Sequence, residues 1–359
     1  MAPGRCLTER ARIRRKVRSV SSVACGAAAI VLALAGCGGG STPATSTGSS
    51  STGSRTASSS SERSQTAATN STTTTTHVVT HRIPKPLPSP AYPKVLGVAL
   101  SSQPTPFVPA VVWKGSPVAW IARSPSGVAM LSFKQPALAL RLHSGTTDAG
   151  TLGWRYGPEI AGLERHRLVA AFNGGFRLDV GAGGFESFGR VATPLNDGLG
   201  SIVTYTDGTT DIGSWHHEVP APGRTIASVR QNLQLLIDHG TAASTLDCLT
   251  CWGATLGGVV DPARSALGIQ SDGHLVWAGA EHATVGVLAD ALLSARVMRA
   301  VELDINPEWV AGYLYGHRGG AGPLAPVPVV PGQQGIPGQY LAPWSRDFFT
   351  IVASSSHGP

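Results

Sequence analysis

Apolar residues in this chain recur mostly with period two, in short runs broken by Gly, Pro and Ser, and that pattern predicts strands rather than helices. The first five runs fall at residues 95–100, 110–113, 118–122, 128–133 and 137–143, as expected of a meandering antiparallel sheet. Trp113 and Trp120 are expected to pack within it, because half-buried strands favour aromatics. Pro158 and Glu159 predict the start of a short helix, the proline suiting the first helical position. Residues 168–172 are apolar without interruption and predict a buried strand that delivers Asn173-Gly174-Gly175-Phe176 at its end. Runs at 202–205 and 210–213 flank Asp207-Gly208 as a hairpin, and 232–238 would place Leu233, Leu235 and Ile237 on one face. Strands at 310–315 and 348–353 close the chain. The Gly- and Pro-rich stretch 316–338 between them reads as a long loop, with His317 and Arg318 positioned as a lid.

One helix interrupts this pattern. Val285, Leu288, Leu292 and Ala295 share a face over 284–297, Thr284 is placed to cap it, and Arg296 and Arg299 suit its negative end. A hairpin precedes it, formed by Arg264–Gln270, a Ser271-Asp272-Gly273 turn and residues 274–278. After the helix the chain returns as Ala300-Val301-Glu302-Leu303-Asp304. In an extended chain Val301 and Leu303 face a core, while Glu302 and Asp304 share the opposite face about 7 Å apart. Together these elements predict a mixed α/β (α+β) class: one β-rich domain over 91–359, with mixed sheets and a few helices.

The N-terminus follows different rules. Residues 1–18 carry seven Lys or Arg and one acid, and an apolar run then ends in Leu34-Ala35-Gly36-Cys37. A basic segment, a short apolar segment and small residues before a cysteine predict a lipoprotein signal peptide over 1–36, with Cys37 the lipid attachment. The mature protein is then expected outside the cytoplasm, anchored to the membrane through that lipid. Residues 37–90 are Ser/Thr/Gly-rich and then Pro-rich, with nothing to bury, which predicts a disordered linker. The signal accounts for +6 of the +7 formal charge, leaving +1, so the basic balance is no evidence for nucleic-acid binding.

Cys248-Leu249-Thr250-Cys251 holds the two cysteines left outside the signal and the anchor, and a local disulfide is expected in an oxidising compartment. No second pair completes a cysteine metal site. His216 and His217 are adjacent, so on an extended chain they point apart and are expected at the surface; no metal or cofactor is expected.

Asn173-Gly174-Gly175-Phe176, the Arg264-x-Ala266-Leu267-Gly268 strand with its Asp-Gly hairpin, and the helix leading to Leu303-Asp304 occur here in an order that resembles the phosphodiester glycosidase family over roughly residues 165–310. The resemblance implies a hydrolase acting on a sugar linked through a phosphodiester, in a cell-surface or exopolysaccharide glycan. It implies Asp304 as base or electrostatic stabiliser; by position Glu302, where the family often has Asn or Asp, or Glu308, a carboxylate that the family pattern lacks, is the acid. Arg264, Asn173, the amides of Gly174 and Gly175, and Asn306 would bind substrate. Glu186 is a further acid in a Gly-rich loop. The family follows its Leu-Asp with Gly-Gly-Gly-Ser, whereas this chain has Ile305-Asn306-Pro307-Glu308, which leaves a non-catalytic glycan- or phosphate-binding protein as the alternative. Both readings require a cleft at these carboxylates.

Overall fold

The computed structural model describes residues 91–97, 103–151, 153–248, 250–253 and 258–354. The expected signal peptide, Cys37 and the linker lie outside them. The described residues form one compact unit. Among the described residues, no helix is long and apolar enough to cross a membrane.

Three antiparallel sheets and a single α-helix make up the described fold. The domain is β-rich with few helices as the pattern predicts, but every strand pair within the sheets is antiparallel, so the sheets are not mixed. The N-terminal meander Thr105–Trp113, Ser116–Arg123 and Ala129–Phe133 forms one side of a nine-stranded sheet. The hairpin of Arg264–Gln270 and Leu275–Ala280 docks onto it, pairing Trp277 with Leu131, and Val297–Glu302 follows on the other side, pairing with Arg264–Gln270. A five-stranded sheet of Leu324–Pro328, Gly312–His317, Leu168–Asn173, Phe348–Ala353 and Leu138–His143 packs against it. Phe172 stacks between the sheets on Trp277 at 5.7 Å and on Phe133 at 6.2 Å, with Leu267, Val301, Leu303 and Phe349 in the same core. The remaining five-stranded sheet comprises Thr210–Ser214, Gly200–Tyr205, Ile226–Gln231, Phe185–Ser187 and Arg190–Thr193.

The helix Val285–Ser294 covers the other face of the nine-stranded sheet. Thr284 Oγ1 accepts the Val287 amide at 3.2 Å, satisfying one of the free donors of the first turn. Leu288 and Leu292 are fully buried against Val276, Ala278 and Ala300, and each burial stabilises the fold by about 2–3 kcal/mol. The helix stops before 297 because Arg296 takes φ 59° and Val297 already belongs to the next strand.

Three local expectations fail, each to tertiary pairing. No helix forms at Pro158; the Ile160 amide bonds instead to Tyr340, and a 3-10 turn appears later, at Gly162–Arg167. Leu233 has φ 54° and breaks the 232–238 alternation, so the strand is Leu235–Asp238, with Leu236 and Ile237 both buried. The 316–338 loop contains the strand Leu324–Pro328, paired to Gly312–His317. His317 lies at the far end of that partner strand, with ring nitrogens 2.8 Å from Gly322 O and 3.2 Å from Arg165 O and its ring 4.3 Å from Tyr92. It is about 16 Å along the strand from Gly312, the residue that pairs beside Asn173, so the His317–Arg318 lid is not formed.

Candidate active site

The ends of three strands deliver the motif residues to one place. Leu168–Asn173 ends on Asn173, Arg264–Gln270 begins on Arg264, and Leu303-Asp304 leaves the end of Val297–Glu302. Asn173 Nδ2 donates to Ser265 Oγ at 2.8 Å, and that hydroxyl is 3.3 Å from the Asp304 amide and from its carbonyl. Residues 131 positions apart thus meet through one serine (304 − 173 = 131).

Val301 and Leu303 enter the inter-sheet core, as alternation requires, and Glu302 and Asp304 leave the opposite face. Their surroundings then diverge. Glu302 is 0% exposed; its Oε1 accepts from Arg264 Nη1 at 2.6 Å. Arg264 also donates through Nε to Ala283 O at 3.0 Å and through Nη1 to Trp252 O at 3.2 Å. Glu302 Oε2 has no hydrogen-bond partner among the described residues. Burial pushes the Glu302 carboxyl up to about 7, against the pull of Arg264.

Asp304 is 3% exposed. Its Oδ1 accepts the Ile305 and Asn306 amides at 2.8 and 2.9 Å, and its Oδ2 accepts Arg346 Nη2 at 3.1 Å. Burial raises it to about 6, opposed by Arg346 and the two amides and assisted by Asp347. Arg346 also donates to Asp148 and, at 3.0 Å, to Gly175 O. Its guanidinium lies 5.1 Å from the ring centre of Trp309, which meets Trp344 edge-on at 5.8 Å. Trp309, Trp344, Phe176 and Asn306 are half-buried and Glu308 is exposed, so this side of the cluster carries the aromatic rim.

The Gly174-Gly175 turn does not act as the expected open anion cradle. A Cβ on Gly174 would fall 2.1 Å from Asp347 Oδ2, and the Gly174 amide donates to Asp347 O at 3.0 Å. A Cβ on Gly175 would lie 3.0 Å from the Arg230 guanidinium and from Asn232 Oδ1. The glycines are required because the protein's own charged side chains occupy that space. Asp347 is in turn held by Arg230 at 2.8 and 3.2 Å, and Asn232 Nδ2 donates to Glu302 O and Leu303 O at 2.7 and 2.8 Å. Asn306 is likewise occupied, its Oδ1 accepting the Glu308 amide at 2.9 Å.

Arg264 pairs with Glu302, not with Asp304; the cation on Asp304 is Arg346, which sequence reasoning passed over together with Asp148, Arg230, Asn232 and Asp347. A pocket of about 340 Å³ opens beside Arg264, lined also by Trp252, Cys248, Thr284 and Asp290. Cys248 and Cys251 are joined as a disulfide with Cα atoms 5.4 Å apart. Glu186 stands on the strand Phe185–Ser187, in the other five-stranded sheet. His216 and His217 are exposed. Among the described residues Glu218, Asp238 and His239 bring ligand-type atoms within 4.8 Å of one another, but Glu218 accepts the Ser214 amide and the other two are solvated.

These features define a β-rich α+β domain with a buried cluster of four acids and three arginines at converging strand ends. No family model and no curated protein matches the chain. Among solved structures it is similar to the catalytic domain of zebrafish N-acetylglucosamine-1-phosphodiester alpha-N-acetylglucosaminidase, auto-inhibited by its pro-peptide, at 15% identity over 74% of this chain and 87% of that chain, with TM-score 0.39. A hypothetical protein from Synechocystis is similar at 13% identity over 69% of this chain and 61% of that one, with TM-score 0.35.

Proposed function

We propose that this chain is an extracytoplasmic, lipid-anchored hydrolase that cleaves the glycosidic bond of a phosphodiester-linked sugar in a cell-surface or exopolysaccharide glycan, with Asp304 its catalytic residue. The observation that carries the reading is the Asp304–Arg346 pair: an acid raised to about 6, fixed by two amides, and sharing one arginine with an aromatic rim. Asp304 as base takes a proton from water, whose oxygen bonds to the anomeric carbon as the bond from that carbon to the phosphate oxygen breaks. The departing phosphate carries the electron pair, and Arg346 neutralises it. A phosphate leaving group needs little protonation, since its second pKa is about 6. One carboxylate therefore suffices, Asp304 being reached when a ligand displaces the side chains that cover it, and the enclosed Glu302 is a positioning residue that holds Arg264 and the end of its strand.

The alternative, glycan or phosphate binding without hydrolysis, is favoured by one observation: Glu302 is 0% exposed, so a two-carboxylate mechanism is not assembled. The test is release of free sugar from a panel of sugar-1-phosphodiesters by the full chain and by Asp304→Asn. Turnover lost in the variant supports the hydrolase. Saturable binding without turnover, weakened by Arg346→Ala, selects the binding protein.

A further inference from the structure

A second pocket, at the opposite end of the strand Phe348–Ala353 from Asp347, has a chemistry of its own. It encloses about 300 Å³, at the lower end of small-ligand sites, and its lining includes Arg141, Arg155, Arg167, Tyr156, Phe188 and Tyr205. Val352, the first residue of this strand to line the pocket, is five residues from Asp347, about 17 Å along the strand. Three arginines line it against a single acid, Asp207, and that acid is already paired with Arg224 at 2.6 Å.

The arginines are arrayed over aromatic faces. Arg141 lies 4.9 Å from the ring centre of Tyr156 and Arg155 lies 4.8 Å from that of Phe188, so planar guanidinium groups stand at the pocket wall. Arg141 shares its charge with Glu164 at 3.5 Å, but Arg155 and Arg167 have no acidic partner within salt-bridge distance among the described residues. Phe188 is 44% exposed and holds φ 50°, a backbone region unfavourable to a bulky side chain, with its amide fixed on Ala227 O at 2.7 Å. The positive φ belongs to the two-residue Phe188-Gly189 turn joining Phe185–Ser187 to Arg190–Thr193; it is the exposed ring held beside unpaired cations that points to a ligand rather than to packing. The remainder of the chain beyond the signal is nearly charge-neutral, at +1, so this concentration of positive charge is local.

We infer that this pocket binds a negatively charged sugar unit, its carboxylate on Arg155 and Arg167 and its apolar ring face against Tyr156 and Phe188. The inference does not depend on hydrolysis at Asp304. It is tested by calorimetric titration of the full chain in detergent with a uronic-acid trisaccharide, its carboxyl-reduced neutral counterpart, and inorganic phosphate. The charged trisaccharide is expected to bind at least about tenfold more tightly than either of the others, and more weakly as salt screens the pocket. Arg155→Ala with Arg167→Ala lowers that affinity about tenfold or more. Phe188→Gly lowers it several-fold while leaving the melting temperature unchanged or higher, because glycine relieves the positive φ; a purely structural role for the ring would instead lower the melting temperature. Asp304→Asn leaves the affinity unchanged, which separates this site from the proposed catalytic one. Equal binding of the neutral sugar, equal binding of phosphate, no binding of the charged sugar, or undiminished binding in the double arginine variant would each overturn the inference.

Discussion

Glu302 and Asp304 stand two residues apart, leave the same side of the chain and each face one arginine, yet they occupy different kinds of site. The Arg264–Glu302 pair is held by backbone, with Arg264 Nε donating to Ala283 O and Nη1 to Trp252 O, and one Glu302 carboxylate oxygen left without a partner among the described residues. The Asp304–Arg346 pair is closed largely by side chains: the Arg346 guanidinium lies against Trp309 and Asp148, and Asp304 has both oxygens occupied. A raised carboxyl pKa is common to both. The two pairs differ in their surroundings: the pocket of about 340 Å³ lies beside Arg264, whereas Asp304, 3% exposed, lies behind Arg346 and the rim of Trp309 and Trp344.

The comparison breaks most visibly on Arg264. Arg264→Ala leaves Glu302 buried without its cation and is expected to destabilise the domain by about 3–5 kcal/mol, read from urea unfolding. Replacing both partners, Arg264→Met with Glu302→Leu, is expected to recover most of that loss, since an apolar pair of similar volume avoids the desolvation cost. A double variant as unstable as the single one would mean that the pair positions the strand end in a way packing does not replace. Asp304→Asn has the opposite profile. The carboxamide oxygen still accepts the Ile305 and Asn306 amides and Arg346 keeps Asp148, but its bond to Asp304 is lost, so stability falls by about 1–3 kcal/mol, whereas sugar release falls by about 10²–10⁴-fold.

The pH dependence of stability compares the two carboxylates directly. Folding raises Glu302 from an ordinary 4.5 to about 7 and Asp304 from 3.8 to about 6. A raised acid binds its proton more tightly in the folded state. Its contribution is therefore fully present below the unfolded pKa and is lost as pH rises through the folded one. Glu302 should remove stability between about pH 4.5 and 7 and Asp304 between about pH 4 and 6, each with a limiting slope of about 1.4 kcal/mol per pH unit. Glu164 is shifted downward and acts with the opposite sign, at lower pH. Urea unfolding at pH 5, 6 and 7.5 with Glu302→Gln as reference isolates the first term. An unchanged slope in that variant would show that Glu302 stays ionised in the fold, and the orphaned Oε2 would then need a donor rather than a proton.

Much of this site could be read from alternation. Val301 and Leu303 against Glu302 and Asp304, the Thr284 cap and the hairpin at Asp272-Gly273 follow from period and turn chemistry, which act over a few residues. The arginine assignments could not. Arg264 sits nearest Glu302 because of cross-strand register, with Ala266 opposite Glu302, and register is a tertiary fact. Arg346 and Asp347 look like turn residues before an apolar strand until Phe348 is seen to pair with Asn173, which places them at the motif. Gly174 misled for a related reason. Two glycines after a strand show that something approaches the backbone closely, but not whether it is a ligand or, as here, Asp347.

Trp309 gives the smallest effect and the sharpest distinction. Its indole is half-buried and in contact with Arg346, so Trp309→Ala removes a cation–π contact worth about 0.5–1 kcal/mol along with modest packing. The same change at Trp252, which is fully buried beside the Arg264 pair, removes core volume and costs about 3–5 kcal/mol. If the Asp304–Arg346 pair is the site and the indole is part of its wall, Trp309→Ala raises KM several-fold while kcat changes little, because binding shared by ground and transition states is what is lost. A fall in kcat at constant KM would instead show that the indole fixes the Arg346 guanidinium on Asp304, making Trp309 a positioning residue. The Asp304–Arg346 pair would then depend on its rim for its geometry as the Arg264–Glu302 pair depends on backbone carbonyls.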